Sequence, residues 1–432
     1  MIIENVEIKG FWGTQNASAI INDDVTIFIG LNGTGKTTFV NLIAASLSLD
    51  IIQLSNIQFK EIIIKLRDPV QKSNRTIKVL NLSQENYPYN SFEYKISNKT
   101  YRIFAEARTT SRGGRIIIDK LDQYRRIPAH LREEHLKLKN ELSSLIEVSP
   151  ISVYRQSYNI DFEGDPRLRT SAVDERLQQL FEKFARYQLK LETRLNEISN
   201  KFQQGAVASL LYSEAFDDFN IEKFQPDMAL KEQSEKLSLA FKELGIKGKQ
   251  QNIEKHLKKI TEAIEGLKKS SKKTGFHVKD VFALPLIYRT NHIIDLLNQS
   301  EKEKNEITEG RQKFFNTLEN FLFNKNFYYD NKTSELSFSL KPNGQERLSW
   351  TSLSSGEKQL LIQFLEVLLQ ENRSVIFIAD EPELSLHVTW QEKLLKAIRN
   401  LNKNAQLIVA THSPDIVAEF RNRVIDMENV VS

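Results

Sequence analysis

The residues best suited to chemistry lie in a short glycine-rich segment near the N-terminus. Residues Gly30 to Thr38 read Gly-Leu-Asn-Gly-Thr-Gly-Lys-Thr-Thr, the pattern of a phosphate-binding loop. Its glycines let the backbone wrap around a phosphate, towards which the amides of a following helix direct partial positive charge. Lys36 would reach the β- and γ-phosphates of a nucleotide, and the Thr37 hydroxyl would ligate magnesium. The loop residues that we expect to contact the nucleotide are Asn32, Gly33, Thr34, Gly35, Lys36, Thr37 and Thr38.

Two elements must position this loop. The apolar run Val25–Ile29 predicts a buried strand directly before it, and Phe39–Ile43 predicts the beginning of a helix directly after it. Because the motif requires a strand, a loop and a helix in this order, its context supports a phosphate site rather than a chance glycine-rich turn.

A second set of candidate residues lies more than three hundred residues further along the chain. The apolar run Val375–Ala379 predicts another buried strand, and Asp380 and Glu381 follow it directly. Such a strand would place Asp380 beside the phosphate loop, where it can hold the water shell of Mg²⁺. Glu381 could then polarise an attacking water molecule as a general base. Glu383 is the next candidate for that base.

Three further motifs indicate the class of protein. The segment 353–359, Leu-Ser-Ser-Gly-Glu-Lys-Gln, resembles the signature motif of ABC-type ATPases, with Ser355 where a second glycine is commonest. The segment 383–387 occupies the position of the D-loop in these ATPases. The apolar run 407–411 predicts another buried strand, which is followed directly by His412. The resemblance implies that His412 is the switch histidine, which contacts the γ-phosphate.

The resemblance also implies a fold, cofactors and a second protomer. An α/β head of the ABC type would bind ATP and Mg²⁺, and the signature of one protomer would close over ATP held by the loop of the other. Ser354, Gly356 and Glu357 would then contact the nucleotide in trans, within a homodimer or a higher homo-oligomer. A glutamine would complete the magnesium shell; Gln156 is our candidate, and Gln84 and a plain surface role remain alternatives.

Two short sequence segments narrow the resemblance to one group of ABC-type ATPases. Asp-Glu-Pro-Glu-Leu-Ser-Leu-His at 380–387 and Thr-His-Ser-Pro at 411–414 resemble the OLD-type (overcoming-lysogenization-defect) ATPases, relatives of RecF and of the chromosome-maintenance (SMC) heads. Many OLD-type proteins carry a toprim nuclease domain after this point, and we expect none here because only 20 residues follow His412. The chain therefore resembles stand-alone ATPase subunits of bacterial antiphage systems, such as Septu or retron-associated ATPases.

This resemblance implies that the ATPase controls a partner effector, which we expect to be a nuclease on another polypeptide. The alternative is a RecF- or SMC-like DNA-repair ATPase that binds DNA directly. The nucleotide-binding subunit of a transporter is disfavoured. In the transporter family the signature lies about a hundred residues after the phosphate loop, whereas in this chain the separation exceeds three hundred residues.

The two halves of the predicted site lie at opposite ends of the chain, so the head must be discontinuous. We expect residues 1–165 and 313–432 to form the head, and residues 166–312 to form a helical insertion. Heptad-like 4-3 spacing predicts two coiled-coil-like helices in it. Their stripes are Leu177, Phe181, Phe184, Gln188, Leu191, Leu195, Ile198 and Phe202, and Ile253, Leu257, Ile260, Ile264 and Leu267. Gly205, Gly245 and Gly248 offer breaks, and both a short arm and a small helical bundle remain open.

Composition limits the remaining classes. The 432 residues include no cysteine, which excludes disulfides and cysteine-zinc sites and fits a cytoplasmic protein. The N-terminus lacks the basic region of a signal peptide, and the longest apolar runs are too short to span a membrane. A net charge of +4 is too small to indicate nucleic acid.

A local cluster of arginines leaves nucleic-acid binding possible. These residues could contact a phosphate backbone or could form a solvated face, and the sequence favours neither interpretation. The cluster comprises Arg102, Arg108, Arg112, Arg115, Arg125, Arg126 and Arg132.

Overall fold

The structure is a computed structural model that describes most of the chain. The described residues are 1–69, 71–82, 89–106, 129–152, 171–211, 230–246, 248–270, 284–330, 335–342 and 346–432. Gln84, Gln156 and the arginines at 108, 112, 115, 125 and 126 lie outside them. The described residues form two compact units, Met1–Phe184 with Lys313–Ser432 and Ala185–Gln312.

Both helices and strands occur among the described residues, and they alternate regularly only in the C-terminal part of the chain, over residues 348–426. The strands are β1 (Ile2–Phe11), β2 (Gln15–Ile20), β3 (Val25–Ile29), β4 (Glu61–Arg67), β5 (Asn74–Asn81), β6 (Tyr89–Ile96), β7 (Lys99–Glu106), β8 (Glu147–Ser152), β9 (Lys325–Asp330), β10 (Glu335–Leu340), β11 (Leu348–Ser349), β12 (Val375–Asp380), β13 (Gln406–Ala410) and β14 (Val424–Asp426). The helices are α1 (Lys36–Ser48), α2 (Ile51–Ser55), α3 (Ala129–Leu145), α4 (Ala172–Ala208), α5 (Leu230–Glu243), α6 (Gln250–Ser270), α7 (Leu284–Phe321), α8 (Ser355–Leu368), α9 (Val388–Leu401) and α10 (Pro414–Val417).

A parallel five-stranded sheet positions the candidate residues. Its strand order is β14-β3-β13-β12-β8, and each neighbouring pair runs parallel. The strands β12 and β13 are apolar and buried along almost their whole length, as expected for a sheet that is covered on both faces. Because β3, β13 and β12 are consecutive and parallel, their carboxyl ends meet at one edge. The phosphate loop, His412 and Asp380 follow these three ends.

A second, antiparallel sheet shares the core of the first unit. Its order is β2-β1-β4-β5-β6-β7. One cluster of buried apolar side chains joins this sheet, helices α1 and α3, and the parallel sheet. The buried Gln406 carboxamide also joins the sheets: it donates to the carbonyl of Ile3 at 2.7 Å and accepts from the amide of Ile3 at 2.8 Å. These two sheets of the first unit therefore share one core.

The second unit is helical. One buried cluster joins Phe202 of α4, Ala240 of α5 and Leu297 of α7, and another joins α5 to α6. Helices from four segments thus share buried contacts, which fits the bundle alternative better than a two-helix arm. Gly205 lies inside α4 and does not break it, whereas Gly245 has a positive φ in the connection between α5 and α6. Among the described residues, no helix is both long enough and apolar enough to cross a bilayer.

Two ion pairs attach the signature helix α8 to the first turns of α4, within the first unit. Lys358 binds Asp174 at 2.8 Å, and the Arg176 guanidinium binds the Glu366 carboxylate at 2.6 Å. The Glu366 side chain is only 4% exposed. Its burial raises the pKa of the carboxyl, and the nearby Arg176 opposes this shift. The carboxylate therefore depends on Arg176 for compensation of its charge.

Replacing Arg176 with methionine should destabilise the protein, because the Glu366 carboxylate would stay buried without its cation. We expect a loss of about 3–5 kcal/mol in the free energy of unfolding, measured by urea denaturation. A carboxyl with a raised pKa in the folded state gains protons on folding, so stability falls as the pH rises through that pKa. The loss should therefore be smaller at about pH 5 than at about pH 8.

Lys396→Met provides the matched control, since Lys396 pairs with Glu419 at 3.0 Å on the surface of the same unit. This change should alter stability by only about 0–1 kcal/mol. Equal losses for the two variants would contradict the importance of the buried pair.

Candidate functional site

The phosphate loop connects β3 to α1 and is shaped by close contacts. Gly35 has a φ of +93°, and a Cβ built on it would lie 2.9 Å from the ring of Phe11, so a side chain would be both strained and crowded there. Helix α1 begins directly afterwards at Lys36 and has no acidic residue in its first turn. The Lys36 ammonium donates to the carbonyls of Gly30 at 2.8 Å and Leu31 at 3.0 Å. The loop thus presents a helix N-terminus and a held cation.

The predicted magnesium ligands Thr37 and Asp380 lie together. The Thr37 hydroxyl donates to the Asp380 carboxylate at 2.9 Å, although 343 positions separate the two residues in sequence. A hydroxyl and a carboxylate fit Mg²⁺, which takes oxygen ligands and typically uses one or two protein groups beside waters and phosphates. The third predicted ligand, Gln156, lies outside the described residues, as does its alternative Gln84.

Carboxylates surround the Lys36 ammonium. Its burial lowers the pKa, and the charges of Glu381, Asp380 and Asp426 oppose that shift. Asp426 was not predicted from sequence; it ends β14, where it pairs with Ile29 at the end of β3. No motif marks this aspartate, and its proximity follows only from the addition of β14 to the parallel sheet.

Glu381 and His412 lie at the ends of adjacent strands. Glu381 has a φ of +47°, a conformation that is strained for a residue other than glycine, and its amide donates to the carbonyl of Ala410 at 2.7 Å. This bond attaches the residue to the end of β13, two positions before His412. His412 is exposed, and Glu381 is half-buried. Both predicted catalytic residues therefore lie at the sheet edge that carries the phosphate loop.

Glu383 occupies a different environment from Glu381. Its side chain is buried, and its Oε1 atom accepts a hydrogen bond from the Thr411 hydroxyl, which is fully buried. A general base must reach a water molecule beside the phosphate, so this placement favours Glu381 over Glu383 as the base.

The signature residues form the N-terminus of α8. The Ser354 hydroxyl accepts from the amide of Glu357 at 3.4 Å, and the Glu357 carboxylate accepts from the amide of Ser354 at 2.9 Å. This reciprocal pair is a capping box. Lys325 donates to the other oxygen of Glu357 at 2.7 Å. Burial raises the pKa of Glu357, but the bonds from Lys325 and Ser354 outweigh it and leave the pKa lowered. Both carboxylate oxygens of Glu357 thus have partners. Lys325 holds the side chain of Glu357, which in turn holds the backbone of Ser354.

Gly356 allows the signature to pack against the D-loop. A Cβ built on Gly356 would lie 2.6 Å from the carbonyl oxygen of Ser385. The adjacent segment is held as well, since the buried Gln363 amide on α8 donates to the carbonyl of Pro382 at 2.8 Å. The structure therefore joins the signature to the segment that follows Glu381.

The phosphate loop, the parallel sheet and the contact between Thr37 and Asp380 are the features expected of a nucleotide-binding ATPase domain. The chain belongs to the family of AAA ATPase domains, whose model matches residues 1–417. It is similar to the retron Vc95 probable ATPase of Vibrio cholerae serotype O1 biovar El Tor, with 27% identity over 144 residues. It is also similar to the retron Ec83 probable ATPase of Escherichia coli, with 33% identity over 94 residues.

The aligned segments cover only part of each protein. They comprise 31% and 19% of this chain, and 28% and 16% of the Vibrio and Escherichia relatives. Among solved structures, the Smc head domain of Pyrococcus furiosus bound to the C-terminal domain of ScpA aligns with 98% of this chain and 92% of its own, at 16% identity and a TM-score of 0.43. The SMC head domain from Thermotoga maritima aligns with 97% and 92%, at 11% identity and a TM-score of 0.38.

Replacing Gly356 with alanine should slow ATP hydrolysis, because the new methyl group would collide with the Ser385 carbonyl and move the signature relative to the D-loop. We expect at least a tenfold lower turnover, on the order of what a displacement of catalytic groups by a fraction of an ångström produces. Steady-state phosphate release measures this effect.

Ser355→Ala is the control, since Ser355 is the exposed neighbour of Gly356 in the same helical turn. This variant should retain wild-type turnover. If Gly356→Ala and Ser355→Ala hydrolysed ATP equally fast, the close packing on Ser385 would have no functional role.

Proposed function

We propose that this protein is an ATP hydrolase whose active site is completed by a second copy of the chain. The observation that carries the proposal is the hydrogen bond between Thr37 and Asp380, which links the phosphate loop to the strand that carries Glu381. A helix N-terminus, a buried lysine, two oxygen ligands and an acid thus converge on one sheet edge. Membership of the AAA ATPase domain family supports nucleotide as the ligand.

Each residue then has a physical role. The Lys36 ammonium and the amides at the start of α1 bind the phosphates, and the Thr37 hydroxyl and the Asp380 carboxylate hold Mg²⁺ or its waters. When bound, Mg²⁺ neutralises charge on the transferred phosphoryl group. Glu381 accepts a proton from the attacking water, and His412 orients that water or the γ-phosphate.

The dimer supplies the missing half of the site. The capping box holds the Ser354 hydroxyl and the first amides of α8 at an exposed helix N-terminus, which suits a γ-phosphate that is bound by the partner protomer. We propose that ATP joins two protomers in this way and that hydrolysis releases them. The site residues on the D-loop and signature of each protomer would move together, since Gly356 contacts Ser385 directly.

The output of this cycle is proposed to be control of a partner effector, for which a nuclease in antiphage defence is our candidate. Support comes from the two relatives that are named as retron probable ATPases, and it is limited by their short alignments. The alternative, a DNA-repair ATPase, predicts that DNA alone stimulates hydrolysis. Stimulation by the partner protein and not by DNA would support control of an effector.

Glu381→Gln should bind ATP but hydrolyse it at least about 10²-fold more slowly, because the amide preserves shape but cannot accept the proton. Phosphate release and calorimetric titration of ATP measure the two properties separately. Lys36→Ala is the contrasting variant, which should lose ATP binding because it removes the cation of the loop.

Wild-type turnover by Glu381→Gln would show that another residue is the base. Undiminished ATP affinity of Lys36→Ala would contradict the assignment of the phosphate loop. A wild-type protein that binds ATP without hydrolysing it, alone or with a partner, would overturn the proposed activity.

Mixing two inactive variants should restore hydrolysis if the site is composite. Ser354→Arg would block closure, because a long cation would fill the space for the γ-phosphate, and Lys36→Ala would prevent binding on the other half. A mixed dimer contains one site with both lesions and one with neither. Phosphate release by the mixture, and not by either variant alone, is the expected result.

Two results of these measurements would contradict the composite site. Wild-type turnover by Ser354→Arg alone would show that the signature does not act on ATP. An inactive mixture, with mixed dimers demonstrated by two affinity tags, would contradict the trans arrangement.

A further inference from the structure

The segment 411–413, which we name the switch loop, is held by a buried carboxylate. It follows β13 and carries His412 between Thr411 and Ser413. The Thr411 hydroxyl donates to Oε1 of Glu383 and accepts from the amide of Ser413 at 2.9 Å. Thr411 is fully buried, and the Glu383 side chain is 8% exposed. A short relay of hydrogen bonds therefore crosses the switch loop and ends on Glu383.

The same carboxyl group lies beside the backbone of the switch loop, and its surroundings act on its pKa. Burial, the largest effect, raises the pKa of Glu383, whereas the bond from Thr411 and the nearby amides of His412 and Ser413 lower it. No hydrogen bond of ordinary geometry reaches Oε2 from the described residues. A buried carboxyl oxygen without a well-formed hydrogen bond costs stability. A leucine would fill similar volume without that cost, so packing alone does not explain a glutamate here.

A second connection runs parallel to the first. The Gln391 side chain on α9 accepts from the Ser413 hydroxyl at 2.7 Å and donates to the carbonyl of Leu386 at 2.9 Å. Glu383 and Leu386 both belong to the D-loop, which packs on Gly356 of the signature. The switch loop is therefore tied to the D-loop at two points, and the position of His412 depends on that segment.

We propose that Glu383 is a positioning residue that holds the switch loop, so that His412 keeps its place beside the phosphate site. Glu383 does not touch the reacting atoms in this arrangement; it acts through Thr411 and His412. Through it, a displacement of the D-loop by the signature would also displace His412. This inference rests on the proposed function for its catalytic consequence, but the structural link can be tested without ATP.

The first experiment measures amide hydrogen exchange of residues 411–413 in nucleotide-free protein. Glu383→Ala and Thr411→Val should both make exchange of His412 and Ser413 faster, and Glu383→Gln, which retains an acceptor for Thr411, should restore part of the protection. Glu419→Ala, which alters an exposed carboxylate of the same C-terminal region, is the control and should match wild type. Unchanged exchange in Glu383→Ala would overturn the proposal whether or not the protein hydrolyses ATP.

The second experiment separates positioning from general stability by its dependence on His412. Glu383→Ala should lower kcat by about 10²-fold with KM for ATP nearly unchanged, as expected for a misplaced catalytic group. In a His412→Ala background the same change should have no further effect on kcat. Multiplied losses in the double variant would show that Glu383 acts independently of His412 and would contradict the proposal.

The two proposals fail in distinguishable ways. Absence of hydrolysis in wild type would overturn the proposed function. The hydrogen-exchange experiment would still test whether Glu383 holds the switch loop. Should Glu383→Ala fail to fold, Thr411→Val carries both measurements, since it removes the same hydrogen bond from the other side. Wild-type exchange and wild-type kcat in Thr411→Val would then refute the role of the link.

Discussion

The hydrogen bond between Thr37 and Asp380 depends on the parallel pairing of three strands that come from opposite ends of the chain. β3 pairs with β13, and β13 pairs with β12, so residues separated by 343 positions meet at one sheet edge. Neither half of the chain contains the site by itself. Of the described residues between these strands, only Ala185–Gln312 form a separate compact unit, and the others belong to the unit that contains the site.

Buried charges at the site are compensated by specific partners. Lys36 is 4% exposed and lies among three carboxylates and two backbone carbonyls. Lys325 is nearly buried and binds Glu357, which fixes Ser354. Such pairs contribute little net stability compared with apolar packing, but each becomes costly when one partner is removed. These pairs act here by fixing positions. The partners of Lys36 hold its ammonium group at the phosphate loop, and Lys325 and Glu357 hold Ser354 at the start of α8.

Sequence alone predicted the elements that carry motifs. The strands β3, β12 and β13 and the helix α1 were expected from apolar runs beside the phosphate loop, Asp380 and His412, and the structure confirms them together with the α/β class. The continuous apolar runs revealed the strands, because a strand that is buried on both faces is apolar throughout.

Other parts of the fold could not be predicted, for identifiable reasons. Helix α3 has only a weak apolar stripe, and its burial depends on partners that are distant in sequence. β8 joins the edge of the parallel sheet through pairing with β12, and its residues Glu147–Ser152 are too mixed in character to suggest a strand of such a sheet. Gly205 was taken as a helix break, but the helix continues through it and packs it against Leu296. The roles of Asp426 and Glu383 follow only from contacts made after folding.

Helix α8 is the element on which several of these constraints meet. Its first turn presents Ser354 and packs Gly356 on the D-loop, and its buried Gln363 holds the carbonyl of Pro382 beside Glu381. Lys358 and Glu366 on the same helix bind the first turns of α4, which continues into the helical unit. A packed helix moves as a rigid body more readily than it bends, since its backbone bonds and core contacts are maintained in that way. A change at the N-terminus of α8 would therefore be felt both at Glu381 and at the beginning of α4.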